Sequence, residues 1–249
     1  MIAAPLLVFD FDGVLVDGMR EYWWSARRSA LWLRPERELP ELAPAGFARL
    51  RPLIHKGWEM VLAALELSRS DLDLAGYLND YSQHTQDALA RWQLSPERLQ
   101  QVLETLRSEA IHQDPLAWRA LHQPYPGVPE RLRRLESEGS EWLVLTTKGG
   151  AFAEELLAGY GLTPKAVYGH EQGSKPEVLL RLSQGTSPLW FVEDRRPTLE
   201  AVRGTAGLEA VRCFLVSWGY LGPGDRDGLP SGIQLLEPDQ FEQPLAGWP

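Results

Sequence analysis

The 249-residue sequence has little cysteine, no long apolar run and a shortage of positive charge. Its single cysteine, Cys213, cannot form a disulfide within the chain, which favours a reducing compartment and predicts a cytoplasmic protein. No apolar run approaches the roughly 18 residues of a membrane span, and the first residues lack the basic segment of a signal peptide, so we expect no membrane partner. Acidic residues (34) outnumber basic ones (25), and a net charge of −9 disfavours binding of nucleic acid through its phosphates.

Strand and helix patterns alternate over the second half of the sequence. After a first buried strand at 6–9, apolar runs predict strands at 141–147, 188–194 and 211–219, with helices between them and a last edge strand near 233–241. Alternation of this kind is typical of a parallel, doubly wound sheet. The sequence therefore predicts an α/β fold.

The stretch between the first strand and residue 124 carries helical signals only. Helical spacing or capping residues mark five segments there: 20–34, 57–68, 71–92, 95–110 and 114–122. We therefore expect residues 1–16 and 125–249 to form the α/β core, and residues 17–124 to form an inserted α-helical domain.

Polar side chains stand where the predicted strands end, which is where doubly wound sheets bind their ligands. They are Asp10, Asp12, Thr146, Thr147, Lys175, Glu193 and Asp194. Carboxylate oxygens suit Mg²⁺, which in proteins often binds substrate phosphate as well. Lysine ammonium and threonine hydroxyl groups suit phosphate oxygens. The sequence thus favours a site for a divalent cation and a phosphate group.

Four ordered motifs resemble the haloacid dehalogenase (HAD) superfamily of phosphohydrolases, and they span essentially the whole predicted core. They are DFDGV at 10–14, Thr146 within LVLTTK, Lys175 within GSKPE, and FVEDR at 191–195. The segments YPGV at 125–128 and SWGY at 217–220 are similar to the phosphoglycolate-phosphatase-like branch, which has a helical cap. A HAD-like core with an inserted cap is the fold that this resemblance implies.

The resemblance also implies a role for each motif residue. Asp10 would be the nucleophile that forms an aspartyl-phosphate, and Asp12 would be the general acid and then the general base. Groups expected to contact the substrate's phosphate are Thr146, Lys175, Thr147 and the turn at Gly13. The implied activity is hydrolysis of a small phosphorylated metabolite.

Mg²⁺ is the implied cofactor. Its expected ligands are Asp10, the backbone carbonyl of Asp12 and Asp194, with Glu193 binding directly or through water. Glu193 departs from the commoner motif, which has glycine at that position, and Arg195 and Arg196 follow Asp194 directly. An alternative therefore stays open in which arginines neutralise Asp194.

The predicted helical insert would close over the site and contact the leaving group, as caps do in the resembling branch. Segment 48–59 is similar to the cap segment that faces the active site, so Arg51 and Lys56 are expected to bind an anionic substrate. The alternative for these basic residues is an ordinary solvated helix end.

The predicted function is thus Mg²⁺-dependent hydrolysis of a phosphomonoester. Two alternatives are left open: a sugar-phosphate phosphomutase of the same superfamily, and a catalytically weak HAD-like binding or regulatory protein. The second is motivated by the altered fourth motif. The sequence leaves the identity of the ester and the oligomeric state open.

Overall fold

The computed structural model describes residues 4–249, so residues 1–3 of the predicted core lie outside the described residues. The chain divides into two compact units. One, here called the α/β unit, comprises Gln123–Pro249 together with the N-terminal segment that ends at Asp17. The other, the helical unit, comprises Gly18–His122. The role of the helical unit as a cap stays a prediction.

Eight strands occur in the described α/β unit. They are β1 (Leu6–Phe9), β2 (Val16–Asp17), β3 (Gln123–Pro124), β4 (Trp142–Leu145), β5 (Val167–Tyr168), β6 (Leu189–Glu193), β7 (Arg212–Val216) and β8 (Ile233–Leu236). Six of them form a parallel sheet in the order β5–β4–β1–β6–β7–β8. The remaining two, β2 and β3, pair as an antiparallel ribbon where the chain passes from one unit to the other. The predicted parallel α/β fold is confirmed, and β8 is the predicted edge strand.

Seven α-helices make up the helical unit. They are α1 (Met19–Leu33), α2 (Ala45–Leu50), α3 (Gly57–Leu67), α4 (Leu74–Asn79), α5 (Tyr81–Trp92), α6 (Pro96–Gln113) and α7 (Pro115–Arg119). Helices α1, α3 and α6 pack together, and a buried ion pair joins Arg107 on α6 to Glu21 on α1 at 2.6 Å. No helix among the described residues is long and apolar enough to cross a membrane.

The predicted single helix over 71–92 is wrong, because the chain breaks it at Asp80. The Asp80 backbone leaves the helical region, and its carboxylate accepts the N–H of Gln83 to cap α5. Asp73 caps α4 in the same way by accepting the N–H of Gly76. Aspartate satisfies the exposed N–H groups of a helix start better than it continues a helix, so two short helices replace one long helix.

Helices and a C-terminal segment cover the two faces of the sheet. The remaining helices are α8 (Val128–Leu135), α9 (Gly150–Gly159), α10 (Lys175–Leu182), α11 (Arg196–Arg203) and α12 (Pro238–Phe241). On one face, aliphatic side chains of α10 and α11 pack with buried strand residues such as Val8 and Phe191. An aromatic cluster on the other side joins Trp190 and Phe214 to Trp248, with ring centroids 5.4–5.9 Å apart. Apolar side chains therefore cover both faces of the sheet, as expected for strands with continuous apolar sequence.

Candidate active site

Four sequence-predicted residues at the carboxyl ends of three neighbouring strands share one buried region with Lys175, which comes after β5 along the chain. Asp10 follows β1, Thr146 follows β4, Glu193 ends β6, Asp194 comes next, and Lys175 opens α10. All five are buried. The sheet order places β1 between β4 and β6, and the N–H of Asp10 donates to Val192 on β6 at 2.9 Å. Parallel pairing therefore assembles the site from distant parts of the sequence.

Lys175 is the central cation of this region. Its Nζ lies 2.8 Å from Asp10 Oδ1 and 2.6 Å from Glu193 Oε2. The other oxygen of Glu193 accepts the backbone N–H groups of Asp194 and Arg195 at 3.0 and 3.1 Å. Glu193 therefore uses both of its oxygens within the protein, and its geometry is suited to fixing Lys175 beside Asp10.

Burial and the neighbouring charges set the ionisation of this trio. Desolvation, with help from the charge of Glu193, raises the pKa of Asp10 to about 7, although Lys175 opposes the rise. Burial alone would lower the pKa of Lys175, but the charges of Asp10 and Glu193 outweigh it and raise that pKa. Burial likewise opposes ionisation of Glu193, yet the ammonium of Lys175 holds the pKa of Glu193 below its usual value. The Lys175 ammonium thus pairs with two carboxylates, and Asp10 is the one whose pKa lies near 7.

Three buried carboxylates offer a place for a divalent cation. Oxygens of Asp10, Glu193 and Asp194 all lie within 4.8 Å of one another. Carboxylates packed this closely in a buried site repel one another, and a Mg²⁺ ion would offset that repulsion with ligands of the type it prefers. The donor set therefore fits the predicted cofactor.

Two glycines make room for Asp194. Gly13 has a φ of +89°, and a Cβ there would lie 1.9 Å from Asp194 Oδ2. A Cβ at Gly219 would lie 2.3 Å from Asp194 Cβ. The N–H of Gly13 donates to Val16 O at 2.9 Å within the turn, so the predicted contact of this turn with phosphate stays a prediction.

Lys148, in the loop after β4, is a residue of this region that the sequence reasoning missed. Thr146 Oγ1 accepts the N–H of Lys148 at 3.1 Å, and Thr147 between them is half-buried. The Lys148 side chain is buried, with its Nζ 3.4 Å from Asp12 Oδ2. The available signal was a lysine directly behind the two threonines in LVLTTK, at a predicted strand end.

Residues 217–220, the SWGY segment to which the sequence assigned no role in the site, form a loop after β7, here called the SWGY loop. The backbone N–H of Tyr220 donates to Asp194 Oδ2 at 2.8 Å, and its hydroxyl donates to Asp17 Oδ1 at 2.6 Å. The indole N–H of Trp218 donates to Val14 O at 3.0 Å. This loop therefore ties the carboxylate of Asp194 to the chain that follows Asp10 and Asp12.

Arg196 does not fit the alternative in which it neutralises Asp194. Its guanidinium bonds Glu200 at 2.8 Å and the carbonyl oxygens of Asp227 and Gly228 at 2.7 and 3.2 Å. Arg196 is thus held against its own helix and a surface loop. These contacts disfavour the alternative for Arg196.

The two predicted substrate-binding residues of the insert have different surroundings within the helical unit. Arg51 is buried, with its guanidinium 4.8 Å from the centre of the Tyr22 ring and a bond to Ile54 O at 3.3 Å. Lys56 is exposed and directly precedes α3. The substrate-binding role of both residues stays a prediction.

Curated relatives match nearly the whole chain. A phosphoglycolate phosphatase of Xanthomonas campestris pv. campestris is 27% identical over 254 residues, covering 98% of this chain and 96% of the relative. An N-acetylmuramic acid 6-phosphate phosphatase of Pseudomonas aeruginosa is 29% identical over 232 residues, covering 88% of this chain and 84% of the relative.

Solved structures share the fold, and a family model identifies the class. The crystal structure of "a predicted phosphatase" from Clostridium acetobutylicum has a TM-score of 0.63 at 13% identity, covering 96% of this chain and 97% of that one. That of "a predicted phosphoglycolate phosphatase" from Haemophilus somnus has a TM-score of 0.61 at 18% identity, covering 97% and 96%. The family model described as "haloacid dehalogenase-like hydrolase" matches residues 5–201. The superfamily and the hydrolase class predicted from the motifs are thereby confirmed, and the chain belongs to the haloacid dehalogenase-like hydrolases.

Proposed function

We propose that this hydrolase is a Mg²⁺-dependent phosphatase that cleaves a small phosphomonoester metabolite through an aspartyl-phosphate. The observation that carries the proposal is the buried Asp10 carboxylate, held 2.8 Å from the Lys175 ammonium and beside the carboxylates of Glu193 and Asp194. A nucleophile that attacks a phosphate dianion needs such a cation to offset the repulsion between them. The phosphatase names of the two curated relatives support the same chemistry.

In the first half-reaction a carboxylate oxygen of Asp10 forms a bond to phosphorus as the bond from phosphorus to the leaving oxygen breaks. Asp12 gives its proton to that leaving oxygen, so that an alcohol departs. Thr146 and Lys175 bind oxygens of the transferring phosphoryl group. In the second half-reaction Asp12 takes a proton from water as the water oxygen attacks phosphorus, which frees inorganic phosphate and restores Asp10.

Asp10, Asp194 and the backbone carbonyl of Asp12 would hold Mg²⁺. When bound, the ion supplies positive charge that keeps Asp10 ionised and offsets the charge on the phosphate oxygens. Glu193 would bind the ion directly or through water, and its two hydrogen-bonded oxygens also suit it to orienting Lys175.

The helical unit is proposed as the cap that excludes water and binds the leaving group, with Arg51 and Lys56 as basic contacts for an anionic substrate. The names of the curated relatives place 2-phosphoglycolate and N-acetylmuramic acid 6-phosphate first in a substrate panel. The single cysteine favours a cytoplasmic location for this chemistry.

The test is release of inorganic phosphate from a panel of phosphorylated metabolites, with Mg²⁺ or with a chelator. We expect turnover that the chelator abolishes, and that Asp10→Asn abolishes while Asp239→Asn, an exposed control in the same unit, leaves it unchanged. A rearranged sugar phosphate in place of inorganic phosphate would indicate a mutase. If the wild type shows neither turnover nor Mg²⁺ binding by calorimetry, the enzyme hypothesis is wrong and the binding-protein alternative replaces it.

A further inference from the structure

Lys148 carries a buried charge that the mechanism above does not use. It lies just beyond the end of β4, the strand next to β1. Its backbone is fixed on both sides, because its N–H donates to Thr146 Oγ1 at 3.1 Å and its carbonyl accepts the N–H of His170 at 3.3 Å. The side chain is only 2% exposed, and an ammonium is costly to bury without a partner. The structure places that ammonium 3.4 Å from Asp12 Oδ2.

The two oxygens of Asp12 have different surroundings. Oδ2 lies beside Lys148, whereas Oδ1 is buried and has no hydrogen-bond partner within residues 4–249. A buried acceptor without a partner costs free energy, so such an atom is typical of a site that meets its partner during the reaction. The carboxylate is therefore paired at one oxygen and buried without a hydrogen-bond partner at the other.

We propose that Lys148 is a positioning residue that holds Asp12 Oδ2, so that Oδ1 is the oxygen that exchanges the proton. This inference rests on the proposed phosphatase function. The proton leaves Oδ1 for the leaving oxygen as the bond from that oxygen to phosphorus breaks, and a proton from the attacking water later returns to Oδ1. A catalytic acid or base oriented by a third group is a general arrangement of enzymes.

Asp10 and Asp12 are thus each paired with a different lysine. Lys175 lies against Asp10 and Glu193, and Lys148 lies against Asp12. Loss of Lys148 leaves the ion pairs of the nucleophile in place, so it should impair proton transfer to the leaving group more than attack on phosphorus. A residue with only a structural role would impair both together.

Substrates with different leaving groups separate these two effects. The nitrophenolate of p-nitrophenyl phosphate departs without a proton, whereas the alkoxide of 2-phosphoglycolate needs one. We expect Lys148→Met to lower kcat/KM for 2-phosphoglycolate, or for the best alkyl ester of the panel, about 10- to 100-fold, and to lower kcat/KM for p-nitrophenyl phosphate less than about 3-fold. Lys148→Arg, which keeps the charge, should recover part of the loss. The control is Lys165→Met, which removes an exposed lysine paired with Glu141.

The inference is tested by the ratio of kcat/KM for the alkyl ester to kcat/KM for p-nitrophenyl phosphate, compared between the variant and the wild type. Equal losses on both substrates, or no loss on either, would overturn it, even if the wild type is a Mg²⁺-dependent phosphatase. A wild type that cleaves neither ester would overturn the proposed function instead. If thermal melting shows that Lys148→Met does not fold, Lys148→Gln and Lys148→Arg are measured in the same way. Failure of all three variants to fold would make Lys148 a structural residue.

Discussion

Replacing Gly219 by alanine should damage the site by displacing Asp194 or the main chain beside it. Gly219 lies in the SWGY loop, next to Tyr220, whose N–H donates to Asp194 Oδ2 at 2.8 Å. An added Cβ would lie 2.3 Å from Asp194 Cβ and 2.5 Å from the carbonyl oxygen of Gly13. Neither neighbour is the flexible end of a long side chain, so the main chain or Asp194 itself has to move.

The size of the effect follows from these distances. Ordinary contact begins at 3.4 Å, so Asp194 has to move by roughly 1 Å. A misplacement of about 1 Å at a reacting centre costs on the order of 100-fold in rate. Overpacking of this kind also costs about 1–3 kcal/mol of folding free energy. In a protein of this size each kcal/mol lowers Tm by roughly 2–4 °C.

The assay compares Gly219→Ala with Gly204→Ala, a control in which the added Cβ would meet its nearest atom, Glu200 O, at 3.4 Å. Calorimetry measures the Kd for Mg²⁺, steady-state kinetics give kcat/KM, and thermal melting gives Tm. We expect weaker Mg²⁺ binding and lower kcat/KM in Gly219→Ala, with wild-type values in the control. A Gly219→Ala protein with wild-type Mg²⁺ affinity would refute the role assigned to this glycine.

Two further predictions concern ionisation and packing. Because burial raises the pKa of Asp10 to about 7, Mg²⁺ has to displace a proton below that pH. Its affinity should therefore fall about tenfold for each pH unit below 7 and stay constant above it, and calorimetry that finds no change with pH would contradict this. Trp248→Ala should cost about 3–5 kcal/mol in the free energy of unfolding measured with urea, because its ring packs against Trp190, Phe214 and Phe241. The control Trp32→Ala removes a ring that is 57% exposed, and equal losses in the two variants would contradict the packing argument.

The sequence predicted the parts of the fold that carry a strong apolar period. Continuous apolar runs such as Leu6–Phe9 and Trp142–Leu145 are buried strands in the structure. Elements without a hydrophobic period were missed. An example is the ribbon of Val16–Asp17 with Gln123–Pro124, because a strand of two residues is too short to show a period. The break at Asp80 was missed for a related reason, because one capping aspartate in a polar helix changes its local hydrogen bonds without changing the pattern of hydrophobicity.

The order of the strands explains why the partners of the site residues were harder to predict than the residues themselves. A strand that ends in carboxylates is visible in one sequence, but its neighbours are not, and here β1 lies between β4 and β6. The β6 side brings Glu193 and Asp194 to Asp10, while the β4 side brings Lys148 to Asp12. Two aspartates only two positions apart therefore face different cations. That difference fits the separate tasks proposed for them: attack on phosphorus for the buried carboxylate that shares Lys175 with Glu193, and proton transfer for the carboxylate held at one oxygen.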